Sequence, residues 1–313
     1  MSEPDHDPAR SLRLTRIQLG HASSEKGDVV AVEEPLEIRV EGRSVAVVMR
    51  TPGHDEELVA GFLVTEGVVR RRRDILEISQ CPSLDNKHGN VVDVLLGGAV
   101  VNWDSLTRHV FSASSCGLCG KTSIESVFQN FKPLEEGGPF SVNREPSSVA
   151  NAPSSLKTEN CTLNTAAWSP DLIASLPAKL RAAQETFTTT GGLHASALFD
   201  AEGNLIVLRE DVGRHNALDK VLGYAFQRDM LPLSKHLLLV SGRVSFEIMQ
   251  KALAGGIPIV AAISAPSSLA VDFAQESGQT LIGFLRGDTM NVYTRPDRLL
   301  SPTHTSSDLC LTP

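Results

Sequence analysis

Apolar residues follow two different rhythms along this chain, and the change falls near its middle. In the first half they alternate: Leu36, Ile38 and Val40 recur at every second position, which puts them on one face of a strand. Residues 29–32 read as a strand before it, Glu41, Gly42 and Arg43 as a turn, and 44–49 as a returning arm, so a hairpin is expected. Thr51-Pro52-Gly53-His54-Asp55 supplies turn and capping chemistry for a helix of about 12 residues that carries Leu58, Phe62 and Leu63 on one face. Such a helix needs a sheet to cover. A further strand is expected over 91–96, closed by Gly97-Gly98.

The second half alternates strand and helix. Leu176, Leu180 and Ala183 sit at helical spacing within 172–184, and residues 195–199 and 205–208 flank the turn Asp200-Ala201-Glu202-Gly203-Asn204. A helix after Gly213 places Leu218, Val221, Leu222 and Ala225 on one side. Apolar runs at 237–240 and 257–263 are interleaved with helical patterns at 245–254 and 268–277. Short continuous apolar runs are strands buried on both faces. Short links between such units predict an α/β fold, a three-layer sandwich around a largely parallel sheet with right-handed crossovers.

Between the halves, residues 133–168 run through Pro133, Gly137, Gly138, Pro139, Pro146 and Pro153 with few spaced apolar positions. That composition cannot offset the entropy of ordering, so the segment reads as a flexible insert. The expected organisation is a flexible tail over 1–28, a smaller β-rich domain over 29–132, the insert over 133–168, a C-terminal domain over 169–299 and a second tail over 300–313. No internal repeat is present.

Composition narrows the function. A chain of 313 residues that is 41% hydrophobic and 21% charged has material for a full core and for about two domains. Its formal charge of -8 argues against nucleic-acid binding, which needs a broad positive face. The run Arg70, Arg71, Arg72, Arg73 is the exception, and it reads as a solvated turn between helix and strand. No stretch approaches the roughly 18 apolar residues that span a bilayer. Five cysteines with a single close pair do not make a secreted disulfide framework, so reduced thiols in a cytoplasmic setting are expected. Cys81, Cys161 and Cys310 read as inert.

The close pair carries the sharpest chemistry. Ser115-Cys116-Gly117-Leu118-Cys119-Gly120-Lys121 precedes the helix-like Thr122-Ser123-Ile124-Glu125, in which Thr122 and Glu125 can form a capping box. A helix N-terminus and the Lys121 ammonium both favour a thiolate. A thiolate among small residues can attack the outer sulfur of a donor, hold it as a persulfide and pass it on. The spacing alone also admits half a zinc site or a thioredoxin-like redox pair. A zinc deaminase would need His-X-Glu; the nearest match, His194-Ala195-Ser196, has serine in place of the acid.

Four glycine-bearing turns of the second half look suited to a charged ligand: Thr190-Gly191-Gly192-Leu193-His194, Glu210-Asp211-Val212-Gly213-Arg214-His215-Asn216, Ser241-Gly242-Arg243 and Phe284-Leu285-Arg286-Gly287-Asp288-Thr289. The second and third each open a helix after a strand, where amide N–H groups and an arginine favour phosphate. None is a Walker loop or a dinucleotide fingerprint. His194 and His215, taken singly, read as structural.

These segments, with Glu34-Pro35-Leu36, Met49-Arg50-Thr51-Pro52-Gly53-His54-Asp55 and the run from Glu210 to Lys220, resemble the FdhD accessory proteins over about 29–132 and 170–298. The resemblance implies a sulfurtransferase that takes sulfur from a cysteine desulfurase. It delivers that sulfur to the molybdenum or tungsten bis-pterin guanine dinucleotide cofactor (Mo-bis(molybdopterin guanine dinucleotide)) used by formate dehydrogenase. It further implies Cys116 as persulfide carrier, Cys119 as its assistant, and cofactor contacts from Phe284, Leu285, Arg286, Gly287, Asp288 and Thr289. A cytidine deaminase-like C-terminal domain, a homodimer and no resident metal are implied as well. The alternatives are a chaperone that only binds the cofactor and a zinc-binding deaminase-like protein.

Overall fold

The computed structural model describes residues 7–81, 90–98, 103, 131–134 and 168–299. Order begins earlier than the pattern suggests. The stretch expected as a tail joins the strand expected over 29–32 in an antiparallel ribbon of β1 (Ala9–Arg16) and β2 (Ser24–Ala31), in register from Ala9 opposite Ala31 to Arg16 opposite Ser24. Its side chains are mostly exposed, so it lacks the buried apolar stripe that marks a strand in sequence.

The expected hairpin follows as β3 (Glu34–Val40) and β4 (Arg43–Arg50). After α1 (Asp55–Thr65), β5 (Ile75–Gln80) and β6 (Val91–Leu96) complete a four-stranded sheet in the order β4-β3-β6-β5, with β3 and β6 parallel. Leu36, Ile38 and Val40 are fully buried beneath α1, as their period of two requires. The arginine run is the connection between α1 and β5, where the Asp74 carboxylate accepts from the Arg70 and Arg71 amides.

The capping of α1 differs from expectation. His54 occupies the N-cap with φ 59° and no side-chain cap, and Asp55 turns away to take two hydrogen bonds from buried Arg50, each 2.9 Å. Asp55, Glu56 and Glu57 in the first turn supply negative charge to the helix start instead.

The C-terminal half comprises α2 (Pro170–Ala183), α3 (Glu185–Thr190), β7 (His194–Phe199), β8 (Leu205–Asp211), α4 (Arg214–Gln227), β9 (Leu237–Val240), α5 (Phe246–Ala254), β10 (Ile259–Ala262), α6 (Ser268–Ser277), β11 (Thr280–Arg286) and β12 (Thr289–Thr294). The six strands order as β12-β11-β10-β9-β7-β8. Only β9, β10 and β11 run parallel; β7, β8 and β12 join antiparallel, so the sheet is mixed and not largely parallel. The cause is local. A five-residue turn joins β7 to β8 and a two-residue turn joins β11 to β12, and links that short can only reverse the chain.

Both faces of this sheet are covered. Leu238, Val260 and Leu281 point to one side, against Leu218 and Val221 of α4, Met249 of α5 and Phe273 of α6. Leu239, Ala261 and Ile282 point to the other, against Ile173, Leu176 and Leu180 of α2. Adjacent residues thus serve opposite cores, which is why their runs are continuously apolar.

The two halves are locked through α1 and α4. A Cβ on Gly61 would overlap the carbonyl of Asp219, and one on Gly223 would overlap that of Glu57, so the helix backbones touch. Buried charge surrounds this crossing. Lys251 Nζ donates to both carboxylate oxygens of Asp219 at 2.9 and 2.8 Å and to Thr65 Oγ1 at 2.9 Å, while Arg209 binds the Glu57 carboxylate at 2.6 and 2.9 Å. Burial pushes the Asp219 carboxyl upward, and the Lys251 ammonium opposes that shift.

Candidate functional site

Parallel strands end together, and this property gathers the glycine-bearing turns. The C-terminal ends of β9, β10 and β11 share one edge of the sheet, and antiparallel β7 begins there, with His194 opposite Asp211 at the end of β8. Ser241 fastens the junction: its Oγ accepts from the Ala195 amide at 2.8 Å, and its own amide donates to the Ala195 carbonyl at 2.9 Å. Three of the four turns therefore converge around His194. A Cβ on Gly242 would lie 3.2 Å from His194 Nδ1 and 3.7 Å from Arg214 Cβ, so only glycine lets this backbone pass without crowding the imidazole.

The run from Glu210 to Lys220 divides by role. Asp211 is fully buried and accepts from the Thr51 amide (3.1 Å), the Gly213 amide (2.8 Å) and Asn216 Nδ2 (2.9 Å), with Lys220 Nζ at 2.8 Å. Lys220 also donates to the Thr51 carbonyl at 2.8 Å, Asn216 to the Met49 carbonyl at 2.7 Å, and the Val212 amide to Thr51 Oγ1 at 3.2 Å. The end of β4 is thereby stitched to the turn that opens α4. Glu210 accepts from the Thr186 and Phe187 amides at the start of α3. Most of the motif is framework, and Arg214 and His215 are what it presents.

Both imidazoles are shifted toward the neutral form. Burial, then the neighbouring Arg214, pushes the His194 imidazole below its ordinary value. His215 is pushed down to about 4, by burial first and then by the charges of Lys251 and Arg214, against the pull of Glu247. Its Nε2 lies 3.4 Å from Ser245 Oγ and 4.0 Å from the Glu247 carboxylate. Sequence reading took both histidines as structural and did not select Ser245 or Glu247. Their grouping depends on strand order, which no local spacing encodes.

The stretch Phe284, Leu285, Arg286, Gly287, Asp288 and Thr289 occupies the same edge, two strands beyond β9. It is the end of β11 and its turn into β12. Phe284 is 39% exposed at φ 53°, and its amide donates to the Ser264 carbonyl at 3.1 Å. Arg286 Nε donates to the Ile263 carbonyl at 3.0 Å. Leu285 differs from its neighbours: its side chain is sealed in the core beneath α2, so side-chain contacts from this stretch fall to the residues around it. Cys116 and Cys119 lie outside the described residues. Ser196, which stands where a deaminase would carry its acid, is buried within β7.

Sequence comparison meets this geometry from another direction. The FdhD/NarQ family profile matches residues 31–164 and 145–300. The chain belongs to the FdhD/NarQ family. Relatives include the Sulfur carrier protein FdhD of Mycobacterium tuberculosis, 50% identical over 87% of this chain and 92% of that one. The protein of the same description from Streptomyces coelicolor is 48% identical over 92% and 94%, and that from Sulfolobus acidocaldarius 40% identical over 93% and 98%. In fold, the chain is similar to a crystal structure from Desulfotalea psychrophila assigned as a formate dehydrogenase accessory protein, with TM-score 0.68, 24% identity, and coverage of 94% of this chain and 100% of that one. Among the described residues of this family member, no helix is long and apolar enough to cross a membrane.

Proposed function

We propose that this chain is a sulfur carrier that holds a persulfide on Cys116 and hands its sulfur to a guanine dinucleotide-bearing molybdenum or tungsten cofactor. The observation that carries the reading is the pair Cys116 and Cys119 in a chain half identical, over most of its length, to a protein described as a sulfur carrier. The shared edge of the C-terminal sheet supports it by placing Arg214, Arg243 and Arg286 in turns at one end of the strands, where positive charge favours an anionic ligand.

The chemistry balances without an outside oxidant. The Cys116 thiolate attacks the outer sulfur of a persulfide on a cysteine desulfurase, a new S–S bond forms, the donor S–S bond breaks, and the donor thiolate leaves. If Cys119 then attacks Cys116 sulfur, the outer sulfur departs as hydrosulfide and the pair closes to a disulfide, which a dithiol reductant reopens. Lys121 beside the pair favours the thiolate form in each step.

The cofactor is cargo in this reading, with Phe284, Arg286, Gly287, Asp288 and Thr289 contributing its contacts. Formate dehydrogenase is the client, a homodimer in the cytoplasm the working form, and a cytidine deaminase-like layering the scaffold, without the deaminase acid. The test is intact mass. After incubation with a cysteine desulfurase and cysteine, the chain gains about 32 Da, one sulfur atom, and loses it on thiol reduction. Cys116→Ala gains nothing. Stoichiometric zinc on the wild-type chain with no sulfur uptake overturns the proposal.

A further inference from the structure

The arginine run over residues 70–73 has no part in the sulfur chemistry, and the fold gives it a definite setting. Its backbone is pinned. The Asp74 carboxylate accepts from the Arg70 and Arg71 amides at 2.9 Å each, and a Cβ on Gly97 would lie 2.5 Å from the Arg73 carbonyl oxygen, so the chain leaving β6 passes flat against the run. The side chains of Arg71, Arg72 and Arg73 are exposed, and neither Arg71 nor Arg73 meets a carboxylate among the described residues. Arg72 Nη1 donates to the Ile75 carbonyl at 3.0 Å, which turns its guanidinium toward β5.

Beside the run lies a groove of about 510 Å³. Ile75, Leu76, Glu77 and Ile78 of β5 form one wall, and Phe226 and Arg228 at the end of α4 form the other. Successive strand residues point to opposite faces, so four in a row can line one groove only along the free edge of the strand. β5 is the outermost strand in the order β4-β3-β6-β5. A register shift between Ile75 and Glu77 bulges Leu76 outward, and it is 63% exposed. An edge blunted against pairing turns charge outward at such a bulge, not leucine.

Arg228 is held at the groove by its stacking 3.7 Å over the Tyr224 ring and by Glu57, 3.9 Å away, whose carboxylate Arg209 already binds twice. Arg72 and Arg228 thus line the groove, with Arg71 and Arg73 beside them, against two carboxylates of the lining, Glu56 and Glu77. The site lies at the far end of α4 from Arg214, roughly 20 Å along the helix, and is separate from the glycine-bearing turns.

We propose that the free edge of β5 docks an extended, acid-rich segment of a partner protein. The segment adds a strand to the sheet, its carboxylates meet Arg71, Arg72, Arg73 and Arg228, and an apolar side chain covers Leu76. Charge complementarity selects this occupant, because a chain of formal charge -8 gathers four guanidinium groups at one open edge. A nucleic acid gains nothing from a strand edge or from Leu76, and Glu56 and Glu77 oppose its phosphates. The inference goes beyond the carrier reading and does not rest on it.

Fluorescence anisotropy of the full chain tests the edge with a labelled peptide of roughly eight residues, alternating glutamate and valine, long enough to span the six of β5. Saturable binding is expected. Arg71→Glu combined with Arg73→Glu should weaken it by about tenfold, and Leu76→Ser by about threefold. A peptide N-methylated at alternate residues, which cannot complete the ladder, should also bind about tenfold more weakly. The substituted positions are exposed, so both variants should melt near wild type; if the charge-reversed pair fails to fold, Leu76→Ser carries the test. Absence of saturable binding, equal affinity for the lysine–valine counterpart or for an oligothymidine of the same charge, or wild-type affinity in the folded variants overturns the proposal. So does sedimentation that shows an oligomer excluding the peptide and dissolved by Leu76→Ser, since a second copy then covers the edge.

Discussion

Gly223 of α4 rests directly on the carbonyl of Glu57 in α1, with no room for a Cβ between them. The reciprocal contact, Gly61 on the carbonyl of Asp219, makes the crossing symmetrical. Because backbone and not a flexible side chain stands opposite each glycine, a methyl group there must drive the helices apart. Gly223→Ala is therefore expected to separate the four-stranded sheet and α1 from the C-terminal half, and to yield aggregated or protease-sensitive protein. Gly242→Ala, whose added carbon would meet only the His194 ring and the Arg214 side chain, should stay folded. A proteolysis time course distinguishes them, and equal resistance of Gly223→Ala and wild type would refute the packing argument.

A second expectation concerns Lys220 and Asp211. Both are buried, 2.8 Å apart, and Asp211 gathers three further donors. Removing the cation alone leaves a buried carboxylate short of its partner, which typically costs about 3–5 kcal/mol. Lys220→Met should lower the urea midpoint accordingly. Lys220→Met paired with Asp211→Asn should recover part of the loss, because the uncompensated charge is gone. A double variant as unstable as the sum of the two singles would show that the residues act independently.

Acid should weaken this fold through its histidines. His54, His194, His215 and His236 are all pushed below the ordinary imidazole value, burial being the first cause for each. For His215, between pH 6.5 and about 4 the unfolded chain holds a proton that the folded chain refuses, so stability present above that window is lost as pH falls through it. Lys251, Arg214 and His194 press in the same direction and Glu247 against it. The melting temperature should fall between about pH 7 and about pH 5, and His215→Gln should flatten the fall. An unchanged slope in that variant would remove His215 from the account.

How far the sequence disclosed all this depends on the kind of residue. Period-two alternation at Leu36, Ile38 and Val40 and the apolar runs through Leu238 and Val260 announced their strands, because burial on one face or two leaves a direct imprint on composition. The ribbon Ala9–Arg16 with Ser24–Ala31 left an imprint only at the end of its second strand, where 29–32 read as extended, since neither strand buries a continuous apolar face. The turns were found by their glycines, but their convergence was not. Asp211 meeting Thr51, and His194 meeting Gly242, are products of strand order and of a helix crossing far apart in sequence. The turn Glu210–Asn216 looked suited to a charged ligand; the buried Asp211 and Lys220 of this run instead tie the end of β4 to the turn that opens α4, a task that a carboxylate and an ammonium perform as readily as binding.

The last expectation separates two neighbours in that edge. Leu285 and Arg286 are adjacent, but the strand turns the leucine into the core beneath α2 and leaves the arginine at the surface, held by one hydrogen bond to Ile263. Leu285→Ala opens a cavity and should cost about 2–5 kcal/mol in stability, with any loss of nucleotide affinity following from misfolding. Arg286→Glu should melt near the wild-type temperature, because a surface charge seldom governs stability. It should still weaken GDP, since it sets a negative charge against a diphosphate while Asp288 beside it already contributes one. The discriminating measurement is GDP titration of both variants at a temperature where each is folded: retained affinity in Arg286→Glu would mean that this turn closes the sheet edge and takes no part in holding the ligand.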